Sequence, residues 1–183
     1  KQTKTDWFML LDGDEVWTES AIQEIVQKVK QNHKEIFAYI SKTIVPVGDL
    51  FHYQSSHSGK YQLKGKIGHL NIRLLQKIDN YSWLGIYPNE AYTNQKGEKI
   101  QNLEEHLEFL KNPYWHITHM RRSSVDSHQK RKLEIGEKKE LMLPEVFYKD
   151  RPYYVPDPFV KFSPLEKIIA QLMTPLFKIK RRI

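Results

Sequence analysis

Hydrophobic and polar positions alternate along the chain with two different periods, and the order of those stretches outlines the fold. Trp7-Phe8-Met9-Leu10-Leu11 is a continuous apolar run, the mark of a strand buried on both faces. Thr18 stands where it would cap a helix over residues 19–32, in which Ile22, Ile25, Val26 and Val29 recur at i, i+3, i+4 and i+7. Residues 36–47 are β-branched and aromatic and stop at Pro46 and Gly48, while Leu70, Ile72 and Leu74 alternate with Asn71, Arg73 and Leu75. Both stretches predict strands. Between them, residues 52–69 carry Gly and Ser turn signals with His52, His57 and His69, and predict a loop or irregular hairpin.

The second half is less regular. Residues 83–87 predict a short strand or turn, Leu103, Leu107 and Leu110 a short helix ending before Asn112-Pro113, and residues 114–118 another short strand. Residues 122–142 predict a helix with Gly136 as its weak point, and the Pro- and Tyr-rich residues 143–162 predict irregular structure. Ser163-Pro164-Leu165-Glu166 has the form of a capping box with Pro at the first helical position. Leu165, Ile168, Ile169, Leu172 and Met173 then share one face, predicting a last helix up to Pro175. The sum is a mixed α/β pattern without internal repeats. Because an apolar strand begins by residue 7, the chain reads as a fragment whose preceding part supplies neighbouring strands, with a genuine N-terminal strand as the alternative.

Composition narrows the class. A chain of 183 residues, 39% hydrophobic and 12% aromatic, has one domain's worth of core and excludes wholesale disorder. The absence of cysteine removes disulfides, thiolate metal sites and a cysteine nucleophile, and favours a reducing compartment. No run approaches the roughly 18 apolar residues of a spanning helix, and no signal peptide opens the chain. The net charge of +7 is uneven: residues 1–30 carry four bases and six acids, whereas the last eight residues carry Lys178, Lys180, Arg181 and Arg182 and no acid. Residues 121–139 mix bases with acids, the composition of a solvated face more than of a phosphate track.

Candidate chemistry concentrates at Asp12, Asp14 and Glu15, directly after the first strand, where ligands of open α/β sheets sit. Three carboxylates repel one another there, and hard oxygens with an open coordination sphere suit Mg²⁺ or Mn²⁺ bridging to a diphosphate. The plainer alternative is a solvated turn whose acids favour the following helix N-terminus. A calcium EF-hand loop is excluded, because its fifth and sixth positions would be Val16 and Trp17. Glu90, behind Trp83-Leu84-Gly85 and Pro88-Asn89, is either a general base or an ordinary surface carboxylate. In a strand, His116 and His119 point to opposite faces, so one of them is a candidate neutral ligand and the other structural. Arg73 suits a phosphate or a carboxylate of the site, and Trp17 and Trp83 suit either a sugar ring or the core.

Taken in order, these residues resemble a family. Asp12-Gly13-Asp14-Glu15 after a hydrophobic strand resembles the metal-binding DxD turn of family-two glycosyltransferases with the GT-A fold. Asn71-Ile72-Arg73-Leu74-Leu75, Trp83-Leu84-Gly85 and Asn89-Glu90 follow in the family's order at similar spacing, with Asn89 where the family commonly has His. The stretch from His116 to Ser123 resembles the histidine segment that closes over the donor diphosphate, so the resemblance covers residues 6–125.

It implies a GT-A-like mixed sheet flanked by helices, with its N-terminal nucleotide-binding part missing. The catalytic domain would cover residues 1–142, and residues 143–183 would form a Pro/Tyr-rich segment and a basic amphipathic helix. The implied activity is metal-dependent, inverting transfer of a sugar from a nucleotide-sugar donor to an acceptor hydroxyl on a glycan, lipid-linked or envelope acceptor. Asp12, Asp14 and His116, or less readily His119, would hold Mn²⁺ or Mg²⁺; Arg73, His116 and Trp17 would serve the donor diphosphate; Trp83 and Asn89 would face the acceptor. Glu90 would be the catalytic base. Such a fragment alone would bind donor poorly.

Two other classes compete. Residues 8–16 also resemble the first motif of haloacid-dehalogenase-type phosphatases, with Asp12 as nucleophile and Asp14 as acid/base, although the later acidic pair is reduced to Val47-Gly48-Asp49. A non-enzymatic basic domain binding anionic lipid or nucleic acid rests on the charge, and no aromatic-and-basic nucleic-acid motif supports the second partner. The segment from Leu165 through Ile179 to Arg182 fits an anionic bilayer surface as well as it fits a helix packed on the domain. The resulting expectation is a cytoplasmic protein, peripheral on the inner face of a membrane.

Overall fold

A computed structural model of the chain describes residues 4–31, 34–86, 90–120 and 133–182. The strands are β1 (Trp7–Met9), β2 (Glu15–Val16), β3 (Ala38–Ile44), β4 (Pro46–Val47), β5 (Asp49–Tyr53), β6 (Tyr61–Leu63), β7 (Lys66–Gly68), β8 (Leu70–Gln76), β9 (Tyr81–Leu84), β10 (Ala91–Asn94), β11 (Leu107–Phe109), β12 (Tyr114–His116) and β13 (Glu137–Lys138). Helix α1 (Glu19–Gln31) follows β2, and α2 (Pro164–Arg182) follows β13. The architecture is mixed α/β.

The principal sheet runs β1-β8-β3-β12-β2. β3 is central because it is buried on both faces: Ala38 and Ile40 enter a cluster with Leu70, Leu75, Tyr92 and Leu107, while Tyr39 enters another with Trp7, Ile25 and Leu74. β8 is antiparallel to both β1 and β3. β11 and then β12 run parallel to β3 in succession along it. β2 closes the path antiparallel to β12. Its two end strands, β1 and β2, are separated in sequence by residues 10–14 alone. A tight turn consumes part of that reach, with the Glu15 N–H donating to the Asp12 carbonyl at 3.1 Å, so the sheet curls until its ends meet at the acidic turn. Smaller sheets pair β9 with β10, β6 with β7, and β13 with β5 and β4.

Several expectations change. The first strand is short: Trp7 is buried, Phe8 and Met9 are partly covered, and Leu11 lies 63% exposed. Helix α1 keeps its Thr18 cap, the Thr18 hydroxyl accepting from the Ala21 N–H at 3.2 Å, but it turns Ala21 and Ile25 inward and leaves Ile22 and Val26 exposed. Lys28 fixes that rotation by pairing with Glu108 on β11 and lying over the Tyr39 ring. The helix expected around Leu103, Leu107 and Leu110 is instead two 3₁₀ turns followed by β11. Leu107 and Leu110 reach two different clusters, which a strand does as readily as a helix, and the ladder to β3 decides for the strand.

Of residues 122–142, positions 122–132 lie outside the described residues. The remainder is not helical: Glu137–Lys138 pairs with His52 and Tyr53. Gly136 permits this pairing, since a Cβ there would stand 2.6 Å from the Tyr53 carbonyl oxygen. Residues 143–162 are irregular as expected, apart from a 3₁₀ turn at Glu145–Tyr148. Its Phe147 is buried with Trp115, Met120, Leu50 and Tyr53.

The Ser163 capping box forms, with the Ser163 N–H donating to Glu166 Oε2 at 2.8 Å and the Glu166 N–H to Ser163 Oγ at 3.3 Å. α2 then passes through Pro175 instead of ending there. The Thr174 hydroxyl donates to the Ala170 carbonyl at 2.6 Å and accepts the Ile135 N–H at 2.8 Å, compensating the turn that proline weakens.

The link between β11 and β12 is tied to α1 by one carboxylate. Glu24 accepts from the Lys111 N–H at 2.7 Å, and from the Asn112 N–H and Asn112 Nδ2 at 2.9 Å each. Glu24→Ala is expected to lower stability by about 1–2 kcal/mol, the scale of hydrogen bonds to a charged acceptor at a partly exposed site. Urea denaturation checks this, and an unchanged midpoint would show that the tie contributes nothing.

Candidate functional site

The acidic turn is built by the sheet on both sides of it. β1 enters in register with β8, and the Leu10 N–H extends that ladder by donating to the Arg73 carbonyl at 2.8 Å. β2 leaves in register with β12, which sets Glu15 opposite His116. The Ile117 N–H donates to the Asp14 carbonyl at 2.8 Å and locks the exit. The four residues are therefore held at the carboxyl end of β1 by backbone bonds to two different strands.

Their side chains separate into two groups. Arg73, on β8, donates from one terminal nitrogen to Asp12 Oδ2 at 2.7 Å and forms an ion pair with Glu15 Oε1. His116 Nε2 lies 3.2 Å from Asp14 Oδ1. The Glu15 side chain has no exposure at all, whereas Asp12 is 58% exposed and Asp14 23%. Glu15 thus belongs to the scaffold, and the two aspartates face outward.

Tyr114 completes the scaffold. Its hydroxyl accepts from Asn71 Nδ2 at 2.7 Å and from Arg73 Nε at 3.4 Å, and its ring stacks on Trp17 with centroids 4.6 Å apart and planes 9° from parallel. The Trp17 Nε1–H donates to Glu15 Oε2 at 3.2 Å. One face of Trp17 is therefore taken by Tyr114.

Burial pushes the Glu15 carboxyl above its ordinary range; Arg73 and the Trp17 bond oppose that shift, and the Asp12 charge adds to it. Burial works against the Arg73 charge as well. There Tyr114, Glu15 and Asp12 together more than offset it and hold the guanidinium above its ordinary value.

A cleft of about 900 Å³ opens on the outward side. Asp12, Asp14 and His116 line one part of it, and Lys149, Arg151 and Asp157 of the irregular segment line another. Gly48, also on the lining, has φ +80° and no room for a Cβ, which would stand 2.0 Å from Phe162 Cζ. His116 lines the cleft and His119 does not; His119 instead bridges to Val47 through its backbone. Neither Trp83 nor Glu90 is on the lining. Trp83 packs against Tyr92 at 5.7 Å in the β9–β10 hairpin and is 45% exposed, and exposed Glu90 precedes β10. Asn89 lies outside the described residues, as do Arg121, Arg122 and Ser123 of the histidine segment. Sequence reasoning passed over Tyr114, which carries no periodic signal beyond its strand, and the Lys149-Asp150-Arg151 run, whose charges in a Pro-rich stretch were the available clue.

Among the described residues, no three His, Asp or Glu side chains converge as a metal cage. Two outward carboxylates with an imidazole behind one of them do fit the open kind of Mg²⁺ or Mn²⁺ site, where one or two carboxylates serve and water and phosphate supply the other oxygens. Compared with protein-family models, curated proteins and solved structures, the chain finds no match.

Because folding raises the Glu15 pKa, the folded state binds that proton more tightly than the unfolded chain. Its contribution to stability therefore falls as pH rises from the ordinary 4.5 through the raised value. Arg73→Met leaves a buried carboxylate without its cation and is expected to cost about 3–5 kcal/mol at neutral pH. That loss should shrink as Glu15 is protonated, and Glu15→Gln should flatten the pH dependence. Urea titrations between pH 4 and 7 check both; an Arg73→Met loss below about 1 kcal/mol with an unchanged pH slope would remove the clamp from the account.

Proposed function

We propose that the protein is a metal-dependent, inverting glycosyltransferase with a GT-A-like fold, acting on a nucleotide-sugar donor. The observation that supports this reading best is that Asp12, Asp14 and His116 line one cleft at the carboxyl end of a sheet strand, with Lys149 and Arg151 on the same lining. The order of short motifs along residues 6–125 supports it.

In this reading Asp12 and Asp14 hold Mn²⁺ or Mg²⁺, which when bound supplies charge neutralisation at the departing diphosphate. Arg73 orients Asp12 from below, and His116 orients Asp14, so neither carboxylate has to be reorganised when donor arrives. Trp17 braces the turn from behind. The acceptor hydroxyl oxygen attacks the anomeric carbon as the bond to the diphosphate oxygen breaks, and its proton passes to Glu90. Glu90, Trp83 and Asn89 would serve the acceptor, roles that rest on the motif order and not on the cleft lining. The acceptor class is a glycan, or a lipid-linked or envelope saccharide.

The test uses the full-length protein. Tryptophan quenching with Mn²⁺ and a panel of nucleoside diphosphates should show saturable, metal-dependent binding, weakened at least about tenfold in Asp14→Asn, since even indirect metal partners carry that much. Glu90→Gln should bind donor as wild type does and lose at least about a hundredfold in transfer, the lower range of general-base catalysis. No metal-dependent binding to any of the diphosphates would overturn the reading, and Asp12-dependent release of phosphate from p-nitrophenyl phosphate would replace it with the phosphatase.

A further inference from the structure

Helix α2 faces the wrong way for a helix whose apolar stripe stabilises the fold. Its fully covered side is small: Ala170 is fully buried and Thr174 nearly so, with Thr174 bonded to the Ile135 N–H, and Met173 and Phe177 are partly covered beside them. Its large aliphatic residues point to solvent, Leu165 at 67% exposure, Ile168 at 55%, Ile169 at 36%, Leu172 at 70%, Leu176 at 57% and Ile179 at 57%. At 3.6 residues per turn these six fall within an arc of about 100° and extend over about 21 Å of helix. Single exposed aliphatics are ordinary, but a continuous stripe of six marks a docking surface.

The charge around the stripe selects the occupant. Residues 164–183 carry Lys167, Lys178, Lys180, Arg181 and Arg182 against the single acid Glu166. At 3.6 residues per turn Lys180 lies about 20° beyond one edge of the stripe, and Lys178 and Lys167 lie about 80° and about 100° beyond the other, all three exposed. A second copy of the same helix would bring five bases and one acid against another five bases and one acid, where paired helices normally carry complementary charges. A layer of anionic headgroups above a hydrocarbon boundary instead matches both the bases and the stripe. No described helix is long and apolar enough to cross a membrane, which leaves α2 lying in the interface plane as the available geometry.

We propose that α2 docks the protein on an anionic lipid surface, with its Leu165 to Ile179 stripe inserted and its lysines at the headgroups. This rests on the exposure and charge of α2 alone and stands whether or not the cleft transfers sugar.

The experiment is flotation of the full chain with vesicles of phosphatidylcholine alone and of phosphatidylcholine mixed equally with phosphatidylglycerol. Binding is expected to the mixed vesicles only, weakening as salt is raised. Lys178→Gln and Lys180→Gln should each lower affinity about fivefold, the worth of one base near an anionic surface. Leu172→Asp should abolish binding while circular dichroism stays unchanged, since that side chain touches solvent and not the core. Absence of binding to the mixed vesicles, equal binding to uncharged ones, or binding unaltered by Leu172→Asp would each overturn the proposal. So would a concentration-dependent dimer in sedimentation that Leu172→Asp dissociates, which would make the stripe a self-association surface.

Discussion

The placement of the acidic turn depends on one guanidinium. Arg73 rises from the second strand of the principal sheet and answers two carboxylates at once, Asp12 at the rim and Glu15 with no exposure. A carboxylate as covered as Glu15 is tolerable only with a cation and hydrogen-bond donors around it, and Arg73 and the Trp17 indole supply both. The guanidinium is fixed in turn by the Tyr114 hydroxyl, itself held by Asn71. Strands β8, β2 and β12 are thereby joined through side chains as well as through the backbone. With Glu15 drawn inward, the alternation along the turn leaves Asp12 and Asp14 facing the cleft.

The curl of the sheet follows from the same geometry. β1 and β2 are its two ends, the link between them is five residues long, and the turn in that link is closed by the Glu15 N–H. A flat sheet would pull those ends apart. The Arg73 pair and the β2–β12 ladder hold them together, so the carboxylates sit at a seam where two sheet ends converge instead of on an open edge.

Elements decided by local chemistry were legible in the sequence. The Thr18 cap, the Ser163 capping box, the alternation in β8 and the strand at β3 each follow from a few neighbouring residues. Those decided by distant partners were not. Leu103, Leu107 and Leu110 satisfy a helical spacing that the β3 ladder overrides, and Gly136 marks a close approach to Tyr53 that no neighbouring residue announces. Pro175 looked like a terminus because one of the two Thr174 bonds that carry the helix past it, that from the Ile135 N–H, joins residues 39 apart. The site divides in the same way. Asp12, Asp14 and His116 were legible from a strand, a turn and a strand, and the structure brings them together, whereas Tyr114 and the Lys149 to Arg151 wall became visible only once the chain was folded.

Among the described residues, two departures from the rule of apolar inside and charged outside concern the cleft and α2, and each costs stability. Glu15 is a carboxyl whose burial works against its charge, and α2 leaves six large aliphatics in water while it turns Ala170 and Thr174 fully inward, with Met173 and Phe177 partly covered. Sequence and fold normally agree at every level, and departures concentrate where something other than stability is selected. At Glu15 the cost fixes the direction in which two neighbouring aspartates point. At α2 a rotation of about half a turn would have covered the stripe, and the bond from the Ile135 N–H to Thr174 holds the helix in the opposite orientation. A contact that fixes a helix with its apolar face outward has a physical purpose only if that face has a surface to meet.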